Sequence, residues 1–380
     1  MKARNIAVIG ATGSVGRSVL EVCSFFPDLF RVRALAAEKN AEGLLGLGRR
    51  FNSDLLVLAD QGSSEKLRRM AGSEFTCRGG EEALLSLVEE PLCEEVAFAS
   101  SGTGALPALI GALQKGKKVY LANKEILVAA GEWVMPLAQG NIIPLDSEHN
   151  AVWQCLRGEA EQSVERVYLT ASGGPFLHST LEELREVTFE RASRHPVWPM
   201  GKKISVDSAT LMNKGIEMIE AHHLFGLPIG KIEAVIHPQA LIHGMVEFID
   251  GSIKMLYSKP DMKLAIMSAF GMEGRLANPD PDLSPPGFPD MDLVFMEPDE
   301  ERFPCLALAK EACRLGGAYP PLLVGADEGT VNLFMEGRIS FTDIAPTIER
   351  VLSSCPRERP RSWKDALGLV TWARERVLKG

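Results

Sequence analysis

The stretch NIAVIGATGSVG, Asn5 to Gly16, decides the fold. Its apolar, β-branched first half reads as a short buried strand that ends on a glycine. Gly10, Gly13 and Gly16 then space G-x-x-G-x-x-G, and a helix follows through Val19 to Phe25. Glycines let the backbone approach a pyrophosphate, and the free amides of the helix start can hold it. The bland reading is an ordinary turn between a strand and a helix, but strand, turn and helix stand in the order that a dinucleotide site needs. About 20 residues on, an acid would grip the ribose hydroxyls of NAD. Glu38, in LAAEKN, stands there, beside Lys39 and Asn40, which suit a 2′-phosphate instead. These residues alone leave NAD and NADP level.

Working outward, the alternation continues. FRVRALAA (Phe30 to Ala37), LLVLAD (Leu55 to Asp60), EVAFASSG (Glu95 to Gly102), KKVYLANKE (Lys117 to Glu125) and NIIPLD (Asn141 to Asp146) read as further strands, with helical segments such as Leu106 to Lys115 between them. Short strands alternating with helices predict an α/β fold, a doubly wound parallel sheet of the Rossmann-like kind over residues 1–146, with ligands at the carboxyl ends of its strands. Residues 147–277 read as a central α+β catalytic domain, with strands in VERVYLTA, KKISVD, KIEAVIH, GMVEFID and SIKMLYS. The Pro- and Asp-rich run NPDPDLSPPGFPDMD falls in a linker, 278–303, and 304–380 reads as a C-terminal helical bundle.

Bulk composition narrows the function. The 380 residues carry a formal net charge of −9, which excludes nucleic acid as a main partner because phosphate-backbone binding needs a basic surface. No apolar run approaches the ~18 residues of a membrane helix, and MKARNIAVIGATG has no signal-peptide character. Seven scattered cysteines, without a C-x-x-C pair, fit a reducing compartment. The expectation is a cytoplasmic protein with a small-molecule partner and no membrane partner.

Two further stretches carry chemistry. In PLDSEHNA, Pro144 to Ala151, Asp146 and Glu148 follow a strand with one serine between them. On an extended segment that spacing puts both carboxylates on one side. Two like charges so close are tolerable if a hard divalent cation lies between them. In HPVWPMGKKISVDSATLMNKGIEMIEAHHLF, His195 to Phe225, KKISVD reads as a strand and Ser208 as the N-cap of a helix running to Phe225. Asn213, Lys214 and Glu217 share a face of that helix at spacings of three and four. A glycine inside it, Gly215, costs ~1 kcal/mol against alanine, so something packs closely there. ASGGPF, Ala171 to Phe176, offers Ser172 and a Gly-Gly turn suited to phosphate. His222, His223 and His237 read as structural. His195 opens a Pro-flanked segment with Trp198 that has the profile of a lid.

At LANKE, PLDSEHNA, ASGGPF, GKKISVDSATLMNKGIE and IHPQALIHGMVEF the chain resembles the 1-deoxy-D-xylulose 5-phosphate reductoisomerase family, in order along essentially its whole length. The resemblance implies an NADPH- and divalent-metal-dependent oxidoreductase of non-mevalonate isoprenoid synthesis, cytosolic and homodimeric, making 2-C-methyl-D-erythritol 4-phosphate. It implies Mn²⁺ or Mg²⁺, with Co²⁺ a further candidate, held by Asp146, Glu148 and Glu217. Lys124, Ser147 and Glu148 would contact the substrate's backbone oxygens. Ser172, His195, Ser208, Asn213 and Lys214 would gather its phosphate end, with Glu217 also on the substrate. Lys124, Glu148 and Lys214 would be catalytic. Thr12, Gly13, Ser14, Val15, Lys39, Asn40, Asn123, Glu125 and Gly201 would line the cofactor, Trp198 and Met200 would belong to the lid, and His243 to the edge of the site. The chain departs from the family pattern at Glu38, where glycine is commoner, and in VGADEGTVNLF, Val324 to Phe334. The competing readings are another NAD(P)-dependent, metal-assisted dehydrogenase of a phosphorylated sugar, and a dinucleotide-sensing regulator without turnover.

Overall fold

A computed structural model describes residues 3–91, 93–197, 201–272, 274–288, 291–355 and 359–379. Trp198 and Met200, assigned to a lid from the sequence, lie outside the described residues. Where the sequence suggests three bodies and a linker, the chain divides into two compact units. The first is Met1–Ile126, Val134–Asn150 and Asp261–Leu283; the second is Leu127–Trp133, Ala151–Pro260 and Ser284–Gly380.

The first unit is a parallel sheet of seven strands: β1 (Arg4–Ile9), β2 (Phe30–Ala37), β3 (Leu55–Leu58), β4 (Thr76–Gly79), β5 (Glu95–Phe98), β6 (Lys118–Leu121) and β7 (Ile142–Pro144). Their order is β4-β3-β2-β1-β5-β6-β7, all pairs parallel. The order reverses between β1 and β5, which places the ligand crevice beyond their carboxyl ends. All four residues of β3 and of β5 are buried, as a sheet covered by helices on both faces requires. The strand β4 is absent from the sequence reading: TCRG has no buried residue and no apolar alternation. EVAFASSG proves to be a strand of four residues followed by a turn, and KKVYLANKE a strand of four, Lys118–Leu121, whose Lys124 and Glu125 already open the next helix.

The second unit holds a mixed sheet of β8 (Val164–Ala171), β9 (Ile232–Ile236), β10 (Ile242–Phe248) and β11 (Ile253–Tyr257), ordered β11-β10-β8-β9. Buried side chains of this sheet share one apolar core with the helices Met212–Phe225, Cys305–Leu315, Tyr319–Met335, Ile344–Ser353 and Trp363–Lys379. The run read as a linker is tied to that sheet. Ile236 and Met296 exchange two backbone hydrogen bonds of 2.9 Å, and His237 donates through Nδ1–H to the Val294 carbonyl at 2.8 Å while stacking on Phe295.

Two sequence expectations are corrected here. KKISVD is helical, within Lys202–Ala209, and the next helix starts separately at Met212 after Leu211 adopts a left-handed conformation. Ser208 is therefore near the end of one helix and caps neither. Ser205, Val206 and Asp207 are all buried, which a half-buried strand could not achieve. Likewise Asp146 and Glu148 do not share a side of an extended segment. Asp146 begins the helix Ser147–Leu156: its carbonyl accepts from the Asn150 amide at 2.9 Å and its carboxylate from the Glu148 amide at 3.3 Å.

The close packing expected at Gly215 is present. A Cβ built there would lie 2.4 Å from the Ala309 Cβ. Gly215→Ala is expected to lower the melting temperature. Overpacking costs roughly 1–3 kcal/mol and outweighs the ~1 kcal/mol of helix propensity gained. Calorimetry that found the variant more stable would refute the tight contact.

Candidate active site

Four residues of the first unit meet where β6 and β7 end side by side, Leu121 opposite Pro144. Asn123 caps the helix Lys124–Ala138 by accepting from the Ile126 amide at 3.2 Å, and its own amide donates to the Gly102 carbonyl at 2.7 Å. Lys124 is thereby the first residue of a helix, where the macrodipole disfavours a cation. It is nonetheless buried, with Nζ 2.9 Å from Asp146 Oδ2. His149, wholly buried and one turn on, places Nδ1 3.0 Å from Asp146 Oδ1. Burial pushes the Asp146 carboxyl upward, but the Lys124 ammonium and the His149 bond outweigh it and hold the group well below the usual carboxylate range. Asp146 is an anion, oriented at both oxygens. Ser147 Oγ donates to Glu148 Oε2 at 2.5 Å. His149 was not among the sequence-assigned site residues; its spacing of three from Asp146 was the available signal.

On the same carboxyl edge, after the central strand β1, Gly10 has φ +86°, and a Cβ there would fall 2.5 Å from the Ala99 backbone. A Cβ on Gly16 would fall 2.2 Å from the Gly10 carbonyl oxygen. The helix Ser14–Phe25 starts from Gly13 with no side-chain cap and no acid in its first turn. Thr12, Gly13, Ser14 and Val15 thus surround a helix start whose amides no side chain occupies, which fits a pyrophosphate. Beyond β2, Lys39 Nζ lies 3.4 Å from Glu38, both exposed, and Asn40 caps the next helix by accepting from the Gly43 amide at 2.9 Å. Glu125 sits in the first turn after Asn123.

In the second unit, Lys214 and Glu217, 3% and 1% exposed, form a buried ion pair, and the Asn213 side-chain amide donates to the same carboxylate. The surface-pair reading of Lys214 with Glu217 is excluded by that burial. Gly173 and Gly174 have φ +84° and +69°, and a Cβ on Gly174 would lie 2.8 Å from the Ser208 carbonyl oxygen. The glycine turn therefore lies directly on the end of the Lys202–Ala209 helix, bringing Ser172 and Ser208 to one place. His195 Nδ1 accepts from the Val197 amide at 3.1 Å, which leaves Nε2–H to meet Ser172 Oγ at 3.0 Å. Burial pushes this imidazole down to about 4, so it is neutral near pH 7. Gly201, at the N-cap of the Lys202–Ala209 helix, is the one cofactor-assigned residue of this unit.

His222 and His223 prove structural: His222 Nδ1 bonds the Leu227 carbonyl at 2.6 Å, and the His223 ring fills the space a Gly131 side chain would take. Burial holds His223 and His243 down at about 4. An unfolded histidine titrates near ~6.5. Above that pH neither state is protonated and the contribution to stability is complete. Below it the unfolded chain takes up protons that the folded one does not, so stability is lost as pH falls through 6.5 toward 4. Melts at pH 7, 6 and 5 are expected to show a falling melting temperature, with a smaller fall in His223→Gln. An identical slope in that variant would contradict the assignment.

Residues 6–131 match the family profile "1-deoxy-D-xylulose 5-phosphate reductoisomerase", 142–225 its C-terminal domain, and 257–376 a "DXP reductoisomerase C-terminal domain". Proteins named 1-deoxy-D-xylulose 5-phosphate reductoisomerase from Desulfosudis oleivorans and Pelotomaculum thermopropionicum are 43% and 42% identical. The alignments cover 98% and 99% of this chain and 98% of each relative. The solved Zymomonas mobilis enzyme, in complex with NADPH, superposes with a TM-score of 0.91 at 38% identity, covering 99% of this chain and 98% of that one. A DOX-P reductoisomerase in complex with NADPH, fosmidomycin and magnesium also gives 0.91, at 32% identity and the same coverage.

Proposed function

The chain belongs to the 1-deoxy-D-xylulose 5-phosphate reductoisomerase family, and from that premise we infer that it converts 1-deoxy-D-xylulose 5-phosphate to 2-C-methyl-D-erythritol 4-phosphate. The reaction uses NADPH and a divalent metal and serves isoprenoid biosynthesis. The observation that carries this reading is the group at the carboxyl edge of the parallel sheet. A buried Lys124 and His149 fix an ionised Asp146 beside Glu148, on the unit that also offers the glycine turn.

We assign the metal to Asp146, Glu148 and Glu217, whose hard oxygens suit Mg²⁺ or Mn²⁺. Among the described residues, no other set of three or more His, Cys, Asp and Glu side chains qualifies as metal-capable. When bound, the cation supplies Lewis acidity to the substrate's ketone and neighbouring hydroxyl oxygens while a carbon–carbon bond breaks and re-forms. NADPH supplies the hydride that reduces the resulting branched aldehyde. The residues of this chain do the rest. Lys124, Ser147 and Glu148 hold the substrate backbone, with Lys124 and Lys214 as fixed positive charge. Ser172, Ser208, Asn213 and neutral His195, a donor through Nε2, gather the phosphate. Thr12 to Val15, Lys39, Asn40, Asn123, Glu125 and Gly201 line the cofactor. In this reading the first unit is the cofactor domain and the second supplies the phosphate end of the site.

A homodimer is the proposed assembly. It is supported by the edge strand β11, where Ile253 and Met255 are 48% and 46% exposed, with Ile249 nearby at 68%. Light scattering after size exclusion that gave a monomer would reject it. Among the described residues no helix is long and apolar enough to cross a membrane. The seven free cysteines support a cytoplasmic location.

The test of function is NADPH absorbance with deoxyxylulose phosphate. Oxidation should need added Mg²⁺ or Mn²⁺ and stop with a chelator. Metal-independent oxidation would favour a simple dehydrogenase, and nucleotide binding without turnover would favour a sensor.

A further inference from the structure

The residues assigned to a cofactor 2′-phosphate stand among carboxylates. Lys39 lies 3.4 Å from Glu38, and its charge also acts on Asp60, the cap of the Gln61–Ala71 helix. The Asn40 side-chain oxygen accepts from the Gly43 amide, which leaves only its uncharged NH2 to meet a phosphate. A dianion arriving at the end of β2 would therefore meet two carboxylates, one ammonium shared with them and one uncharged donor, which is a weak site for it.

A second cation stands close by. Arg17, in the second turn of the Ser14–Phe25 helix, is exposed, and its Nε donates to the Thr12 carbonyl at 3.2 Å. That bond turns the guanidinium back toward the glycine turn. It opens into a cavity of ≈ 570 Å³ between this helix and Ala41–Phe51, where Thr12 and Arg17 face Gly43 and Gly46 with Leu20 and Leu47 as apolar walls. Gly43 belongs to the first turn of the facing helix, so the mouth of the cavity adjoins the end of β2 where the ribose is expected. Arg50 and Glu21 also line it, but Arg50 is two turns, about 10 Å, further along its helix, and Glu21 is paired with Lys263 at 3.4 Å.

We propose that Arg17, rather than Lys39, makes this site select a nucleotide bearing a 2′-phosphate. The inference rests on the reading above that NADPH is the cofactor. Arginine's planar fork matches phosphate oxygens two at a time, and anchoring at Nε leaves both terminal nitrogens available for that use.

The test is binding without turnover: nicotinamide fluorescence titrations of NADPH and NADH against the wild type, Arg17→Ala, Arg17→Lys and Lys39→Ala. Arg17→Ala should weaken NADPH about tenfold, the scale of one charge-assisted hydrogen bond, and leave NADH nearly unchanged. Arg17→Lys should recover part of the loss. Equal weakening of both nucleotides would mean that Arg17 only shapes the turn through Thr12, and would overturn the proposal. So would an unchanged NADPH-to-NADH ratio, or a ratio that moves with Lys39→Ala alone. A wild type that binds neither nucleotide would overturn the cofactor reading as well.

Discussion

Asp146→Asn is expected to reduce turnover by about 10³-fold, the several kcal/mol that a correctly held metal contributes to transition-state charge. The substitution removes one negative charge and keeps the side chain's shape. Asparagine caps helices as well as aspartate does, so the start of the Ser147–Leu156 helix survives. Lys124 loses its ion-pair partner at 2.9 Å, but keeps a hydrogen-bond acceptor there. NADPH affinity should therefore stay close to wild type while the metal concentration for half-maximal rate rises, and the melting temperature should fall because a buried ammonium loses its counter-charge. A near-wild-type rate at limiting Mn²⁺ would remove Asp146 from the ligand set.

Lys214→Met is expected to destabilise the metal-free protein by about 3–5 kcal/mol, because it strips the ion-pair partner from a carboxylate that is 1% exposed. Methionine roughly fills the stem's volume, so the loss reports charge more than packing. Neutralising the other partner too, in Lys214→Met with Glu217→Gln, should recover much of the melting temperature without recovering activity. A divalent cation should stabilise Lys214→Met more than the double variant, since only the single variant keeps the Glu217 charge. Additive losses in the two single variants and the double would show that the pair is not coupled.

The parallel sheet was legible because its evidence is local: apolar runs at Ile6–Ile9 and Leu55–Leu58, and glycines at Gly10 and Gly16 where a Cβ would strike the backbone. The helix Lys202–Ala209 was not. In KKISVD, Ile204 and Val206 alternate with polar residues, and over six positions that pattern fits a strand as well as a buried helix. The deciding signal was the Lys203 and Asp207 spacing of four; their side chains pair at 2.6 Å, and Lys203 also reaches Asp327. Asp146 and Glu148 stand out in the sequence on a wrong geometry: an aspartate followed closely by a glutamate is also what a capped helix start looks like. His149 and the buried state of Lys124 depend on how β6 and β7 end together, a contact the sequence does not write down. The division of 261–283 from the rest of the central segment is of the same kind. Phe270 there packs against Phe30 and Tyr120, with ring centroids 4.8 and 4.7 Å away, partners far off in sequence.

The central claim is that the carbon skeleton is rearranged before hydride arrives, and proton NMR of the product tests it most directly. The methyl group of deoxyxylulose phosphate sits on a ketone carbon. Rearrangement followed by reduction leaves that methyl on a carbon bearing no hydrogen, so its signal in the product should remain a singlet. It should form only with both NADPH and the divalent metal present. A methyl doublet would mean that hydride was delivered straight to the ketone of an unbranched chain, and would contradict the account.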